Sequence, residues 1–256
     1  MCATVQTILD ILNEIAPFES AEGFDNVGIL LGKKDAPIRK VLIALDVTKE
    51  AAEEAVRMEA DLIIAHHPLL FHARKNITEE DPEGEILCTL IRHHISLIAA
   101  HTNLDQSFFS GSACCAKELH LENIRYEAPY LFVGDLKAPC TAQSLAKLAS
   151  EQLHFPVRVY GNDQKMVYTL AIAGGAYDEG WVQAKAIGAQ ALLTGEVRHH
   201  NALTASMSDF VLLDGGHYAT EAPLIENLSA YLQKRLDDVQ YNVRFYPSES
   251  AGFRCV

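Results

Sequence analysis

Apolar and helix-forming stretches alternate along the first half of the chain. Short runs rich in Val, Ile and Leu occupy residues 41–47, 61–68 and 96–105, and each is followed by apolar residues at helical spacing. Continuous apolar runs indicate strands that are buried on both faces. Such strands, separated by helices, are typical of a parallel sheet covered on each side. The first half therefore predicts an α/β lobe.

The second half repeats this alternation with more interruptions. Pro and Gly punctuate the pattern near residues 126–139, and a long helix is predicted over residues 220–236 before a final strand. We therefore predict an α/β fold of two lobes with mostly parallel sheets flanked by helices. The lobes are residues 1–126 and 127–256, and the C-terminal strand is free to pack back on the first lobe.

The pattern also predicts a soluble, cytoplasmic protein. Ile8, Leu12 and Ile15 share one helical face, and no basic segment precedes them, so the N-terminal stretch predicts an amphipathic helix and not a signal peptide. No apolar run approaches the roughly 20 residues that span a bilayer. The cysteines lack C-x-x-C spacing, and the adjacent Cys114 and Cys115 are predicted to be buried, reduced packing residues.

The formal charge of −13 limits the classes of partner. Acidic residues are spread along the chain and form no tail, and no basic stripe is present. Such a surface repels phosphate backbones, which argues against a nucleic-acid partner. A small-molecule substrate, including an anion held by a bound cation, stays compatible with this charge.

Histidines and carboxylates follow three of the predicted strands. The carboxyl ends of parallel strands open on one edge of a sheet, and ligands bind outside that edge. Imidazole and carboxylate groups are metal ligands, although a single histidine at a strand end is more often a hydrogen-bonded structural residue. The candidate metal ligands, in chain order, are His66, His67, His101, Asp105, His217 and Glu221.

The adjacent pair His66 and His67 decides how many ions this set would hold. Neighbouring side chains on a strand point to opposite faces, so both imidazoles reach one ion only if the chain turns, which Pro68 makes plausible. The alternative is two ions side by side, about 3.5–4 Å apart. Six ligands exceed the needs of one tetrahedral zinc. We therefore favour a dinuclear centre.

The ligand types narrow the choice of metal. Imidazoles and carboxylates without a thiolate suit zinc, iron(II), manganese, cobalt or nickel, and they do not suit calcium, magnesium or an iron–sulfur cluster. The predicted cofactor is two divalent ions of the first group per subunit.

Other polar residues have both a structural and a functional interpretation. Glu196 could accept a proton from metal-bound water or cap a helix. His199 could contact a substrate from a helix face or lie on a solvated one. Gly174 and Gly175 indicate either a close backbone approach or an anion-binding nest. Asp46 is predicted to cap or begin a helix.

Asp25 and Asn26 precede the apolar stretch VGILLG. Asp and Asn stabilise turns through hydrogen bonds to nearby backbone. We therefore predict a turn before a strand here, and favour that interpretation over a catalytic role.

Five segments of the chain resemble the motifs of one known family. They are DNVGILLG (25–32), AHHPLLF (65–71), AAHTNLD (99–105), TGEVRHH (194–200) and GGHYATE (215–221). In their order and their residues they resemble the motifs of the NGG-one-interacting-factor-three-like proteins, often catalogued as GTP cyclohydrolase 1 type 2 homologues. The resemblance covers nearly the whole chain, and the length matches the short form of the family.

The resemblance implies a two-lobed subunit with a dinuclear metal centre in the cleft between the lobes. It also implies a homohexamer, a toroid built as a trimer of dimers whose metals face an internal cavity. All six candidate ligands match the metal-ligand positions of the family's histidine-pair, H-x-x-x-D and H-x-x-x-E motifs.

Two functions follow as hypotheses. The first is a metal-dependent hydrolase that acts through a metal-bound hydroxide, with Asp105 or Glu221 bridging the ions and Glu196 or a free histidine moving a proton. The family name suggests a nucleotide substrate. The alternative is a non-enzymatic protein that binds or delivers metal, or a scaffold with a protein partner, since the family's name derives from a protein interaction.

Overall fold

The computed structural model describes residues 3–127 and 129–250. Its strands alternate with helices along much of the chain, as the apolar pattern predicts. In chain order the strands are β1 (Ala3–Thr4), β2 (Gly28–Leu31), β3 (Pro37–Ile38), β4 (Lys40–Ala44), β5 (Leu62–Ala65), β6 (Ser96–Ala99), β7 (Glu122–Glu127), β8 (Leu131–Thr141), β9 (Arg158–Tyr160), β10 (Met166–Ala173), β11 (Ala191–Thr194), β12 (Val211–Asp214) and β13 (Arg244–Pro247).

Most of the longer helices begin at a side chain that caps the first turn, such as Thr48, Asp81 or Thr141. The helices are α1 (Val5–Ile15), α2 (Lys49–Arg57), α3 (Pro82–Arg92), α4 (Thr102–Asp105), α5 (Gly111–Glu118), α6 (Ala142–Leu153), α7 (Trp181–Ala186), α8 (His199–Met207), α9 (His217–Glu221) and α10 (Pro223–Asp238). Two 3₁₀ turns lie at Phe18–Ser20 and Asp178–Gly180.

The described residues fall into two compact units. One unit holds the chain up to Ser107 together with the residues from Ile225 onward, and the other holds Phe108–Leu224. The predicted boundary after residue 126 differs from this division, because α5 packs on β8 and β10, and β7 pairs with β8. The C-terminal strand does return to the first unit, where β13 pairs with β4.

A five-stranded sheet in the order β13-β4-β5-β6-β2 forms the first unit. All neighbours are parallel except β2 and β6. The parallel strands β4, β5 and β6 are almost wholly buried, which explains their uninterrupted apolar sequences. One face of the sheet packs with α2 and α3 around Leu42, Ile63 and Leu97. The sequence predicted this unit closely.

The second unit contains a six-stranded mixed sheet in the order β7-β8-β10-β11-β12-β9. Only the pairs β10–β11 and β11–β12 are parallel, so the prediction of mostly parallel sheets is wrong for this unit. The sequence missed β8 because it crosses the stretch punctuated by Gly and Pro. The pairing of β8 with β10 shifts between Asp135 and Cys140, and Pro139 lies in this irregular part.

Both faces of the second sheet carry a core. Leu145, Leu170 and Leu193 belong to one cluster, and Phe210 and Leu212 belong to the other. The prediction for the adjacent cysteines is confirmed, since Cys114 and Cys115 are both buried free thiols. Burial raises the pKa of the Cys114 thiol to about 11, so it stays protonated and unreactive near neutral pH. Among the described residues, no helix has the length and apolarity required to cross a bilayer.

Candidate metal centre

The strand register of the first unit places the ends of three parallel strands at one edge. Ala44, Ala65 and Ala99 are paired in a row across β4, β5 and β6. His66 follows β5 directly, and His101 lies two residues after the end of β6. Because the strands end in register, the histidines that follow them emerge side by side.

Three imidazoles converge at this edge. One ring nitrogen from each of His66, His67 and His101 lies within 4.8 Å of the other two. The ring centroids are 4.9 Å apart for His66 and His67, and 5.2 Å apart for His66 and His101. The chain leaves the strand after Ala65, so the adjacent histidines do not point to opposite faces. Asp105 lies in the same group, with Oδ1 3.5 Å from His66 Nε2.

Each of these imidazoles is oriented by an oxygen at its Nδ1 atom. His66 Nδ1 lies 2.9 Å from the carbonyl oxygen of Ala100. His67 Nδ1 lies 2.8 Å from Asp46 Oδ1. The prediction for Asp46 is therefore wrong: Thr48 caps α2, and the Asp46 carboxylate is directed at His67 instead.

Asp25 orients the third imidazole, with Oδ1 3.0 Å from His101 Nδ1. Its side chain is fully buried, and its other oxygen accepts hydrogen bonds from the backbone N–H of Thr102 at 3.0 Å and the Thr102 hydroxyl at 2.5 Å. Burial raises the pKa of Asp25, but the hydrogen bonds from His101 and Thr102 outweigh it and hold the pKa well below its usual range. The turn predicted at Asp25 thus also carries an orienting carboxylate, which the sequence did not reveal.

The second unit contributes a separate pair of candidate ligands. His217 and Glu221 lie one helical turn apart on α9, and His217 Nε2 is 3.2 Å from Glu221 Oε2. Glu221 is buried, while His217 is partly exposed. On the other side of the ring, His217 Nδ1 lies 2.6 Å from Glu196 Oε1. The short helix alone brings these residues together, because i and i+4 share a helical face.

Glycines pack tightly against this pair. Gly175 has a φ of +65°, and a Cβ built there would lie 2.2 Å from Glu221 Oε1 and 3.3 Å from His217 Nε2. A Cβ at Gly195 would lie 2.6 Å from the Cα of His217. Of the two alternatives for Gly174 and Gly175, these contacts match the close backbone approach.

The two predicted catalytic residues occupy different positions in the second unit. Glu196 is exposed and touches His217, which gives it an orienting contact. His199 is the exposed first residue of α8. The backbone and guanidinium of the preceding Arg198 are held by the buried carboxylate of Asp178. The catalytic roles of Glu196 and His199 stay predictions.

The side chains that converge in the first unit fit a divalent transition metal. Imidazole nitrogens and a carboxylate oxygen are the ligands that zinc, iron and manganese accept, and no thiolate is present in the group. Each imidazole also has its Nδ1 atom held by an oxygen, as metal-binding histidines in proteins commonly do. The His/Asp group of the first unit can therefore hold a metal ion.

Comparison with curated proteins reveals relatives along nearly the full length. The chain is 32% identical to a protein of Streptomyces coelicolor named "GTP cyclohydrolase 1 type 2 homolog", over 95% of this chain and 90% of that protein. It is 30% identical to the Helicobacter pylori protein named "GTP cyclohydrolase 1 type 2", over 86% of this chain and 87% of the relative.

Solved structures share the fold. A Staphylococcus aureus hypothetical protein, 27% identical, superimposes with a TM-score of 0.92 over 99% of both chains. A Bacillus cereus protein related to NIF3, 22% identical, has a TM-score of 0.94 with the same coverage and supports the fold alone. The family model for Duf34/NIF3 (NGG1p interacting factor 3) matches residues 3–251. The chain therefore belongs to the Duf34/NIF3 family.

Proposed function

We propose that this protein is a metal-dependent hydrolase with a dinuclear metal centre. The observation that carries the proposal is the convergence of three oriented imidazoles, within 4.8 Å of one another, at the carboxyl ends of parallel strands. The proposed ligands are His66, His67, His101, Asp105, His217 and Glu221.

The proposed ligands have distinct environments. His66 is buried beneath its neighbours, so it is the ligand that water reaches least. Asp105 and Glu221 would hold metal through their carboxylate oxygens, and each lies within 3.5 Å of an imidazole in its own unit. Bound divalent ions would supply Lewis acidity and lower the pKa of a coordinated water.

Glu196 is the residue proposed to handle the proton. Its carboxylate contacts His217 Nδ1 at 2.6 Å, while 59% of its side chain is exposed. A partly exposed carboxylate held in this way could accept a proton from an attacking water. His199, exposed at the start of α8, is proposed as a substrate contact.

A small molecule with a planar ring is the proposed substrate class. The names of the Streptomyces coelicolor and Helicobacter pylori relatives make GTP the first compound to assay. Two phenyl rings in the first unit support a planar group. Phe24 is 68% exposed and packs edge-on against Phe71, with centroids 6.3 Å apart, and Phe71 lies 6.3 Å from the His101 ring. Exposed aromatic rings beside polar groups are typical of ligand sites.

Metal analysis and a substrate screen test the proposal together. Protein purified without chelator should contain two equivalents of divalent metal per chain, and the metal-loaded protein should hydrolyse GTP or another nucleotide. His66→Ala should abolish both properties, whereas His93→Ala, an exposed histidine after α3, should leave both unchanged. Turnover that survives His66→Ala would remove these ligands from the mechanism.

A non-enzymatic metal carrier or scaffold is the second candidate. The family description, NGG1p interacting factor 3, names a protein interaction, which favours a protein partner. This function predicts metal that exchanges readily with a competing chelator and no turnover of any nucleotide. Tightly held metal together with turnover would exclude the carrier.

We also propose that the chain assembles with copies of itself, with a hexamer as the expected state. Leu203 and Met207 lie one turn apart on α8 and are 55% and 79% exposed, which supports a further contact surface on the second unit. Light scattering coupled to gel filtration should give six times the mass of 28.2 kDa. A monomeric mass would overturn the assembly without affecting the metal proposal.

A further inference from the structure

We propose that the first unit carries a second ligand site, a basic cleft at the edge of its sheet opposite the candidate metal centre. Its ligand is a small molecule that carries a phosphate group on a planar or apolar body. Binding there requires no metal ion, so the site can be tested separately from the proposed function.

The cleft lies where the parallel strands of the first sheet begin. β4 starts at Lys40, β5 at Leu62 and β13 at Arg244. The histidines of the candidate metal centre follow the opposite ends of β5 and β6. Because β5 has four residues, the two edges are separated by about 13 Å. A ligand in the cleft therefore lies away from the His/Asp group of the first unit.

The size and apolar lining of the cleft suit a small organic molecule. Its volume is about 690 Å³, within the range of pockets that enclose such ligands. Ala55 and Val56 of α2 and the following Ala60 form part of the lining. Tyr246 also borders the cleft and is 42% exposed. An exposed phenol ring beside apolar side chains can contact the flat or apolar body of a ligand.

Basic residues border the cleft, although the chain as a whole has a formal charge of −13. Arg39, Lys40 and Arg244 all line it. The chain bends at Arg39 between β3 and β4, and the Arg244 backbone N–H donates to the Arg39 carbonyl oxygen at 2.7 Å. The return of β13 to the first sheet therefore assembles a basic cluster that is not visible as a stripe in the sequence.

Two carboxylates that also line the cleft are engaged with other partners. Asp61 Oδ2 accepts hydrogen bonds from the backbone N–H groups of Arg39 and Lys40, at 2.7 and 3.1 Å. Glu59 lies 3.4 Å from Lys40 Nζ. The Arg39 guanidinium has no ion-pair partner among the described residues. Asp61 thus fixes the backbone of Arg39 and leaves its side chain for a ligand.

The second guanidinium is also open to a ligand. The Arg244 side chain is 62% exposed, and its Nη1 lies 3.9 Å from Asp237 Oδ1, beyond hydrogen-bond distance. A guanidinium presents a planar fork of N–H donors that fits two oxygens. One fork satisfies a carboxylate, whereas two forks at one cleft suit the three oxygens of a phosphate group. The geometry therefore favours a phosphate over a carboxylate.

Calorimetric titration of the full-length protein with two phosphonates tests the proposal. Phenylphosphonate and methylphosphonate mimic phosphate groups, and their C–P bonds resist hydrolysis. The wild type should bind phenylphosphonate saturably. Methylphosphonate should bind at least about fivefold more weakly, because it lacks the ring that the apolar lining would cover.

Four variants locate the binding. Arg39→Gln and Arg244→Gln should each weaken both probes by about 10-fold or more, because each removes charged hydrogen-bond donors to the anion. Tyr246→Ala should weaken phenylphosphonate by about 2–10-fold and leave methylphosphonate unchanged. The control is Arg125→Gln, which makes the same charge change at a partly exposed arginine of the second unit and should leave both affinities within about twofold.

Three results would overturn the basic cleft as a phosphate site. Wild-type affinity in both Arg39→Gln and Arg244→Gln would mean that phosphonates bind elsewhere, including at the metal centre. Equal losses in Arg125→Gln would mean that overall charge, and not this cleft, attracts them. A wild type without saturable binding would leave the cleft without a phosphate ligand. If Tyr246→Ala weakened both probes equally, the planar or apolar body would be wrong.

Discussion

The two ligand groups are built in opposite ways. In the first unit, His66 and His101 come from different strands and meet because β5 and β6 end in register. In the second unit, His217 and Glu221 come from one turn of α9 and meet without help from any strand. The first group is held by hydrogen bonds to its rings, and the second is also enclosed by glycine backbone.

This difference determines whether a substitution in each group mainly affects metal binding or folding. A group assembled from strand ends depends on hydrogen bonds that place each ring, so changes there should alter metal binding more than folding. A group on one helical turn keeps its spacing, but glycines leave it no room, so added atoms there should damage folding itself.

The largest effect is expected from Gly195→Ala. The new Cβ would lie 2.6 Å from His217 Cα and 2.7 Å from the Gly175 carbonyl oxygen, and backbone atoms cannot rotate away. We expect the free energy of unfolding to fall by about 3 kcal/mol, measured by urea denaturation.

Gly23→Ala is the control for that measurement. Gly23 lies in the first unit, and a Cβ there would meet no atom within 4 Å. The free energy of unfolding of Gly23→Ala should differ from that of the wild type by less than about 0.5 kcal/mol. Equal effects of the two substitutions would show that close packing of glycine does not constrain the second ligand group.

The next largest effect is expected on zinc affinity, in a comparison of His66→Ala with His217→Ala. If both groups bind metal, each variant should lose at least about 100-fold in zinc affinity, because changing a residue that merely orients a ligand already costs about 10–100-fold. Chelator competition measures both. If His217→Ala kept the zinc affinity and stoichiometry of the wild type, His217 would not be a metal ligand.

Asp178→Asn tests what holds the loop that carries Glu196. The buried Asp178 accepts from the Arg198 backbone N–H at 2.7 Å and from its guanidinium at 2.5 and 2.8 Å. Losing the charge should lower the free energy of unfolding by about 2 kcal/mol at pH 7.

The loss of stability in Asp178→Asn should depend on pH. Burial raises the pKa of Asp178, but the hydrogen bonds and charge of Arg198 outweigh it and keep the pKa below its usual value. A lowered folded-state pKa stabilises the protein above the unfolded pKa and loses that effect as the pH falls. The difference between wild type and Asp178→Asn should therefore shrink below about pH 4. A constant difference would contradict an ionised Asp178.

The smallest effect is expected from Thr102→Val in the first unit. It removes the hydroxyl that donates to Asp25 Oδ2 and accepts from the Glu22 backbone N–H, while keeping the side-chain shape. We expect a loss of about 1 kcal/mol in unfolding free energy together with weaker zinc binding. Unchanged zinc affinity would show that Asp25 orients His101 without support from Thr102.

The sequence predicted the first unit better than the second. Its parallel strands are buried on both faces, so their apolar runs are continuous and easy to recognise. In the second unit, β8 is buried only over its first residues and then becomes partly exposed and irregular. Its pattern therefore resembled a boundary. The return of β13 to the first sheet is a long-range pairing that no local pattern specifies.

The candidate ligands could be found from the sequence, but the residues that orient them could not. His66 and His101 follow recognisable strands, so their meeting was predictable from parallel topology. Asp25 lies 76 positions from His101, and its partnership depends on how a turn folds over the end of β6. Asp46 could be mistaken for a helix cap because it precedes α2 by only a few residues.

The pairing of β13 with β4 also has a consequence for synthesis on the ribosome. Until residues Arg244–Pro247 emerge, β4 lacks the parallel neighbour that covers one of its sides. The first sheet therefore keeps an open, apolar edge while more than a hundred residues after β6 are translated, and exposed strand edges favour aggregation. Removing β13 would leave that edge permanently open.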